Sequence, residues 1–182
     1  MISRIKDIII SNKLFSKDDK LLLAISGGAD SIFLFFVLNE LGYKIEVAHC
    51  NFNLRAEESD EDEYFVKRLA KNYGVKCYVK SFEIEKYAKK QGISIQMAAR
   101  ELRYKWFEKL RLNNHLDFIL TAHHKDDNIE TFLLNLIRGT GVNGLCGIKT
   151  KSKYIIRPLL EIYRSEIEDY LDKNHIRYRT DS

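Results

Sequence analysis

The sequence contains little proline, little cysteine and no long apolar segment. Pro158 is the only proline among 182 residues, and neither a Ser/Gly-rich linker nor an internal repeat divides the chain. The three cysteines, Cys50, Cys77 and Cys146, are far apart and form no CxxC pair, which disfavours a disulfide framework and a zinc or iron–sulfur site. No apolar run approaches the roughly 20 residues that a membrane span needs. These absences predict one soluble domain in a reducing cytoplasm, with no membrane partner.

Charge is distributed unevenly along the chain. The formal net charge is +4, but the segment EESDEDE at 57–63 holds six of the 26 acids, so the other 20 acids are set against 30 lysines and arginines. Lys67, Arg68 and Lys71 follow the acidic segment, and acids before bases are typical of a helix rather than of a metal site. The basic residues between Lys86 and Arg157 fit either a face that tracks phosphates or an ordinary solvated surface.

Short apolar runs alternate with helical patterns, which is typical of an α/β fold. The predicted architecture is a doubly wound, mostly parallel sheet with helices on both faces. The predicted strands are Lys20–Ile25, Ile45–His49, Val75–Val79, Phe118–Ala122 and, more weakly, Tyr154–Ile156. Besides a first helix near the N-terminus, helices are predicted at 31–42, 57–73, from Ser94 to about Leu110, from Asp126 or Asp127 to Arg138, and from after Ser165 to about Asn174.

The string SGGADS follows the first predicted strand and leads into a helix. Backbone N–H groups, hydroxyls and a helix N-terminus are then gathered around one concavity, which is a geometry that binds phosphate. Asp30 would repel a bare phosphate, so its presence there indicates a divalent cation between the carboxylate and the phosphate oxygens. The string matches neither GxxxxGK[ST] nor GxGxxG. The alternative is a tight turn in which the glycines only let the helix pack close to the sheet.

A second polar segment, HHKDDNIET, follows the fourth predicted strand. Asp127 and Glu130 are spaced i, i+3, so they share one face of a helix and can hold a cationic group or a metal ion. His123 and His124 precede them, where an imidazole can donate to a phosphate or take a proton from an amine. An ordinary amphipathic helix and a metal cluster like that of metal-dependent phosphoesterases are the alternatives.

Several long blocks of the sequence resemble one known family. SGGADS is similar to the pyrophosphate-binding loop of the ATP pyrophosphatase (PP-loop) superfamily. HCNFNLRAEESDEDE, MAARELRYKWF, TAHHKDDNIETFLLNLIRGTGVNGLCGI and RPLLEIYRSEIEDYL resemble the N-terminal domain of tRNA(Ile)-lysidine synthases. The resemblance extends from about Leu21 to Ser182 with the blocks in the same order. It implies a Rossmann-like fold of the PP-loop type.

The resemblance also implies a reaction and a set of residues. ATP would adenylate the C2 oxygen of the wobble cytidine in an isoleucine tRNA with a CAU anticodon, and free lysine would displace AMP to leave lysidine. ATP and Mg²⁺ are the implied cofactors. The catalytic residues would be Asp30, Arg100, His124, Asp127 and Glu130, with Arg100 preferred to Arg103. The nucleotide-binding residues would be Ser26, Gly27, Gly28, Ala29, Asp30, Ser31, His49 and Asn51. The metal ligands would be Asp30 and Asp127. The glycine-rich loop from Arg138 to Gly144 fits closure on ATP or tRNA and fits a flexible helix exit equally well.

Two other functions remain open at this level. A tRNA thiolase of the same superfamily would usually need cysteine pairs, and a nucleotide-binding module without chemistry would not need the HHKDDNIET residues. The expected organisation is one N-terminal ATP-binding catalytic domain at 1–182, cut near its C-terminus at RYRTDS and without the tRNA-binding C-terminal domains. The oligomeric state is left open, with a homodimer as one option.

Overall fold

The computed structural model describes residues 1–54, 56–139 and 146–180. Within this part of the chain, seven helices and six strands alternate. The helices are α1 (Ile2–Ser11), α2 (Ala29–Glu40), α3 (Ala56–Asn72), α4 (Ile84–Gln91), α5 (Ile95–Asn113), α6 (Lys125–Ile137) and α7 (Arg164–Lys173). The strands are β1 (Leu21–Ala24), β2 (Ile45–Asn51), β3 (Cys77–Ser81), β4 (Phe118–Leu120), β5 (Lys151–Ser152) and β6 (Ile155–Ile156). None of the described helices combines the length and apolarity that crossing a membrane requires.

The six strands form one sheet in the order β3-β2-β1-β4-β6-β5. All neighbouring pairs are parallel except β5 with β6. The chain moves outward from β1 through β2 to β3 and then returns to the other side of β1 as β4. Connections on the two sides of β1 therefore diverge, and this opens a crevice beyond the carboxyl ends of β1 and β4. The predicted doubly wound architecture is confirmed.

Alternating side chains of β1 contribute to two cores, one on each face of the sheet. Leu21 and Leu23 are fully buried in a cluster with apolar residues of α1, α2, α3 and α7. Leu22 points to the opposite face, where it packs in a cluster with Trp106 and Phe107 of α5. Helices thus cover both faces, and β1 is held rigidly between two apolar layers directly below the crevice.

Several element boundaries differ from the predicted ones. Helix α2 begins at Ala29 instead of residue 31, and β3 begins at Cys77 instead of Val75. Neither α4 nor β5 was expected from the pattern. Ser94 caps α5 as predicted, with its hydroxyl accepting from the Met97 N–H at 3.2 Å. Ile95, the first residue of α5, is exposed, whereas Trp106 on the same helix is buried.

Candidate active site

A cleft of about 300 Å³ lies at the carboxyl ends of β1 and β4. We call it the β1–β4 cleft. Its polar wall is formed by Ser26, Asp30, Ser31, Thr121, His123 and Asp127. Its less polar wall includes Ala24, Ile25, Cys50 and Phe107, with Arg103 and Tyr104 of α5 at the side. The two segments that the sequence identified, SGGADS and HHKDDNIET, therefore meet in one cavity.

The loop between β1 and α2 is organised around the hydroxyl of Ser31. Its Oγ accepts from the backbone N–H groups of Ser26 at 3.2 Å and Gly27 at 3.3 Å, and it donates to the Gly28 carbonyl at 3.0 Å. Gly27 has φ +104°, a conformation that residues with a side chain rarely adopt. Gly28 has φ −71° and precedes Ala29, the first residue of α2. A positive φ is confirmed for Gly27 and is absent at Gly28.

Asp30 lies in the first turn of α2 and points toward α6. Its Oδ1 atom is buried and has no hydrogen-bond partner among the described residues, while Oδ2 lies 3.7 Å from Nε2 of His124. Burial raises the pKa of the Asp30 carboxyl, and the nearby His124 and Arg164 oppose that rise. An unsatisfied carboxylate oxygen is costly in a protein interior, so the position favours a cation or another hydrogen-bond donor.

His124 is buried and forms the N-cap of α6. Its backbone N–H donates to Oδ2 of Asp127 at 2.8 Å, and the Asp127 N–H donates to Nδ1 of His124 at 3.4 Å, which together make a capping box. Nε2 then faces Oδ2 of Asp127 at 3.5 Å as well as Asp30. Because Nδ1 accepts a backbone N–H, the ring proton belongs on Nε2, between the two carboxylates.

The start of α6 is held in place by the segment that leads into α7. The Lys125 N–H donates to the Ile162 carbonyl at 2.8 Å, and the Arg164 N–H donates to Oδ2 of Asp126 at 2.8 Å. These bonds tie the first turns of α6 and α7 together. The orientation of His124 and Asp127 is therefore fixed by the backbone of two other segments.

His123 faces the cleft, and the sequence had given it less weight than His124. Its Nδ1 lies 2.9 Å from Oγ1 of Thr121, at the end of β4. Burial, followed by the charge of Arg157, lowers the pKa of His123 to about 4. The imidazole is consequently neutral at physiological pH. Its position directly after a central parallel strand was the sequence signal that marked it.

Two predicted catalytic residues lie outside the cleft wall. Arg100 is exposed and stacks on Tyr104, with 5.1 Å between its Cζ atom and the ring centroid, in a neighbouring groove on α5. Arg103 instead borders the β1–β4 cleft and stands over the ring of Phe52 at 5.5 Å. Glu130 lies on α6 one turn after Asp127 and is exposed. Asp127 thus reaches the cleft, and Glu130 is nearer to solvent.

Two residues predicted to bind the nucleotide serve as internal supports. His49 is buried in β2, and its Nδ1 lies 3.0 Å from the Ile25 carbonyl at the end of β1. Asn51 is also buried; its amide nitrogen donates to Oε2 of Glu63 at 3.0 Å, and its Oδ1 accepts from the Asn53 N–H at 2.9 Å. Of the predicted loop, Thr140, Gly141 and Gly144 lie outside the described residues.

Helix α6 differs from the other helices because none of its residues is buried. The side opposite Asp127 and Glu130 carries exposed apolar side chains, at Ile129, Phe132, Leu133 and Leu136. The predicted amphipathic pattern is present, but the apolar face does not pack into either core. The first turn of α6 is anchored, and that turn carries the cleft residue Asp127.

The carboxylates of the cleft fit a magnesium ion that binds both to them and to the oxygens of a phosphate. Within residues 1–54, 56–139 and 146–180, no group of three or more His, Cys, Asp or Glu side chains is arranged to hold a metal. Mg²⁺ commonly binds through one or two carboxylates and completes its shell with phosphate oxygens and waters. Asp30, with its unpartnered Oδ1, and Asp127 across the cleft fit that pattern, whereas a phosphoesterase-type cluster does not.

The cysteines do not form a redox or metal-binding centre in the described part of the chain. Cys50 borders the cleft, and burial raises its pKa to about 12, so its thiol stays protonated. Burial also raises the pKa of Cys77, which lies on the neighbouring strand β3. Neither thiol has the character of a nucleophile.

Comparisons with known proteins agree with this geometry. The chain is 52% identical over 182 residues to a tRNA(Ile)-lysidine synthase of Porphyromonas gingivalis, covering 99% of this chain and 40% of that protein. It is 51% identical over 179 residues to the tRNA(Ile)-lysidine synthase of Bacteroides thetaiotaomicron, covering 98% of this chain and 42% of that protein. The chain therefore spans about 40% of the length of these curated relatives.

Solved structures share the fold at much lower identity. The U34-tRNA thiolase NcsA from Methanococcus maripaludis superposes with a TM-score of 0.75 at 19% identity, covering 98% of this chain and 65% of that one. The NH3-dependent NAD synthetase from Campylobacter jejuni gives 0.66 at 15% identity, covering 97% and 72%. The family model of the PP-loop domain matches residues 2–182. Together with the loop geometry at Ser26–Ser31, this match shows that the chain belongs to the PP-loop domain family.

Proposed function

We propose that this chain is the ATP-binding catalytic domain of a tRNA(Ile)-lysidine synthase that acts in the cytoplasm. The reaction joins free lysine to C2 of the wobble cytidine in an isoleucine tRNA with a CAU anticodon. ATP is converted to AMP and pyrophosphate, and an adenylated tRNA is the intermediate. The observation that carries the proposal is the meeting of a PP-loop with Asp30 and Asp127 in one cleft, with His124 buried beside both carboxylates, in a chain about half identical to named lysidine synthases.

The triphosphate of ATP binds at the loop between β1 and α2. In the structure, the N–H groups of Ser26 and Gly27 donate to the Ser31 hydroxyl over long distances of 3.2 and 3.3 Å. A phosphate oxygen is a stronger acceptor, so it replaces the hydroxyl as the partner of these donors. The N-terminus of α2 adds a favourable dipole for the same charge.

Asp30 and Asp127 would hold Mg²⁺ against the phosphate oxygens. The ion neutralises negative charge on the triphosphate and so favours departure of pyrophosphate. Nε2 of His124 lies 3.7 Å from Oδ2 of Asp30 and 3.5 Å from Oδ2 of Asp127, so the imidazole favours the orientation of both carboxylates toward the cleft. The adenine packs toward the less polar wall, beside Ala24, Ile25 and Cys50.

The chemical logic is activation of a poor electrophile. The cytidine C2 oxygen attacks the α-phosphorus of ATP, forming an O–P bond as the bond to pyrophosphate breaks. The lysine amine then attacks C2, and the C–O bond breaks so that AMP leaves with the former C2 oxygen. The enzyme must orient three reactants and accept the proton that the amine releases.

The positions of the other polar residues in and near the cleft indicate which reactant each one contacts. Arg103 lies at the cleft and is placed to contact phosphate, while Arg100 faces the neighbouring groove and is placed to contact tRNA. The neutral imidazole of His123 faces the cleft and is placed to accept the amine proton, whereas both ring nitrogens of His124 already face the Asp127 N–H and the two carboxylates. Asp127 and Glu130 lie on one side of α6 and attract the cationic lysine.

A thiolase is the rival within the same fold, and a nucleotide-binding module without chemistry is the rival outside it. The protonated thiol of Cys50 and the lack of a metal-binding group in the described ranges oppose sulfur chemistry. A binding module without chemistry would have no need of Glu130 and His124 beside the cleft residue Asp127.

Incorporation of labelled lysine tests the proposal. The chain is incubated with ATP, Mg²⁺, labelled lysine and an isoleucine tRNA with a CAU anticodon, and the Porphyromonas gingivalis relative is assayed in parallel as a positive control. We expect label in tRNA only when all four components are present, and none with a methionine tRNA. ATP turnover that ignores lysine and leaves the tRNA unlabelled contradicts the proposal.

A further inference from the structure

We propose that Arg179 is a positioning residue for the ATP binding of the proposed function. Its charge neutralises the acidic start of α3 beside the phosphate loop, and this allows a polyphosphate to approach Gly27 and Gly28. Arg179 lies outside both segments from which the site was built. Its position places one cation between the loop and a group of carboxylates.

The backbone of Arg179 lies directly against the loop. Its N–H donates to the Gly27 carbonyl at 2.9 Å. A Cβ added at Gly27 would lie 3.5 Å from Cγ of Arg179, and one added at Gly28 would lie 4.0 Å from the Arg179 carbonyl oxygen. The C-terminal segment and the loop are therefore in van der Waals contact, and the absence of side chains at both glycines permits that approach.

The side chain of Arg179 turns away from the loop to two acids of α3. Nε donates to Oδ1 of Asp62 at 2.8 Å, and Nη2 donates to Oε2 of Glu61 at 2.6 Å. The neighbouring acid Glu63 is paired with Lys67 at 2.6 Å. Acids in the first turns stabilise α3, but the same charges lie close to the place where the triphosphate binds.

The acids at the start of α3 stabilise that helix but repel a triphosphate, and Arg179 offsets this repulsion. With Arg179 present, the carboxylates of Glu61 and Asp62 are compensated by a guanidinium next to the loop. Without it, two carboxylates of the same sign as the ligand remain uncompensated near the loop, where salt reduces their repulsion of a polyphosphate without abolishing it. For a magnesium-bound triphosphate we expect a loss of about threefold to tenfold in affinity.

Replacement of the side chain separates this electrostatic role from the backbone contact. Arg179→Ala keeps the N–H that donates to Gly27, so it removes the charge without removing that bond. Arg179→Lys keeps the charge but loses the two-pronged geometry of the guanidinium. Glu61→Gln together with Asp62→Asn removes the acids that the arginine compensates.

Equilibrium binding of ATP with Mg²⁺, measured by calorimetry alongside thermal melting, tests the inference. We expect Arg179→Ala to bind ATP about threefold to tenfold more weakly, Arg179→Lys to stay close to the wild type, and the triple variant with Glu61→Gln and Asp62→Asn to recover. Lys76→Ala is the matched control, since it removes one cation, paired with Glu46 at 3.8 Å, at the amino end of β3 and away from the loop at the carboxyl end of β1.

The outcomes separate this inference from the proposed function. If the wild type binds ATP and Arg179→Ala binds it equally well, or if the triple variant does not recover, the inference is overturned while the proposed function stands. If the wild type binds no ATP, the proposed function falls and the inference falls with it. If Arg179→Ala does not fold, the double variant with Glu61→Gln and Asp62→Asn decides: Arg179→Ala added to it should fold and bind ATP like the wild type, and weaker binding overturns the inference.

Discussion

Nε2 of His124 lies 3.7 Å from Oδ2 of Asp30, so a buried imidazole at the start of α6 reaches the carboxylate in the first turn of α2. The same nitrogen lies 3.5 Å from Oδ2 of Asp127. One ring thus joins the phosphate loop to the second polar segment, although the two are far apart in the sequence.

Asp30→Asn should abolish the reaction while leaving the fold intact. Oδ1 of Asp30 has no partner among the described residues, and burial raises the pKa of this carboxyl, so the charge contributes little to folding. We expect the adenylation rate to fall by at least about 100-fold, as for other groups that neutralise transition-state charge. The melting temperature should stay unchanged or rise slightly.

The measurement for Asp30→Asn is pyrophosphate release as a function of Mg²⁺ concentration, paired with thermal melting. Asp169→Asn serves as the control, because Asp169 lies exposed on α7 and does not line the cleft. A large loss of thermal stability in Asp30→Asn would mean that the carboxylate serves folding.

His124→Asn should keep the cap of α6 and lose the link between the carboxylates. Asparagine is among the best N-cap residues, so the free energy of unfolding should change by less than about 1 kcal/mol. Its amide is too short to replace Nε2 between Asp30 and Asp127. Loss of such a support typically costs about tenfold to 100-fold in activity or metal affinity. The apparent affinity for Mg²⁺ in the adenylation assay measures the effect; a wild-type value would exclude this role for His124.

The pH dependence of stability should report His123. Burial lowers its pKa from 6.5 to about 4, so the unfolded chain binds a proton more readily than the folded one. The resulting destabilisation is absent above the unfolded pKa, grows as the pH falls from about 6.5 to 4, and reaches about 3 kcal/mol below both values.

Denaturant unfolding of the wild type and of His123→Asn between pH 7 and pH 4 measures this contribution. We expect the variant to lose less stability than the wild type over that interval. Parallel curves for the two proteins would show that His123 is not buried as described.

Arg103→Ala and Arg100→Ala should have different effects, because the two arginines border different cavities. Loss of a charged hydrogen bond from Arg103 should raise the KM for ATP by about tenfold or more. Arg100→Ala should leave that KM within about threefold and weaken tRNA binding instead. Steady-state kinetics with each substrate varied in turn decides the assignment, and the reverse pattern would restore the sequence-based preference for Arg100.

Binding to tRNA should depend steeply on salt. If the basic residues of α5 contact about four phosphates of a single-stranded loop, the logarithm of the association constant should fall against the logarithm of salt concentration with a slope near −3. Fluorescence anisotropy with a labelled anticodon stem-loop gives that slope. A flat response would remove the basic surface from the account of tRNA binding.

The fold was largely predictable because its signals are local. Apolar runs such as Leu21–Leu23 and helix-ending glycines such as Gly42, with φ +70°, predict β1 and the end of α2 directly. Strand β5 has two exposed residues and no apolar pattern, so nothing in its sequence distinguishes it from a loop. Its pairing depends on β6, which only the folded chain brings alongside.

The two motifs of the site were predictable from the sequence, but which of their side chains reach the cleft was not. Sequence spacing places Asp127 and Glu130 on one side of a helix, but only the packing of that helix shows that Asp127 reaches the cleft. His49 and Asn51 follow the usual position of ligand-binding residues after β2, yet their side chains are used in internal hydrogen bonds. Arg179 carries no motif, and its contact with Gly27 arises from the return of the chain after α7.

The hydroxyl of Ser31 competes with an incoming anion for the N–H donors of the loop between β1 and α2. Since the donors of Ser26 and Gly27 already have an acceptor, an incoming anion must offer more than that one oxygen to displace it. Chloride or a singly charged carboxylate gains little from the exchange, whereas a chain of phosphates gains several charged bonds at once. We therefore expect this loop to bind polyvalent anions in preference to the common small ions of the cell.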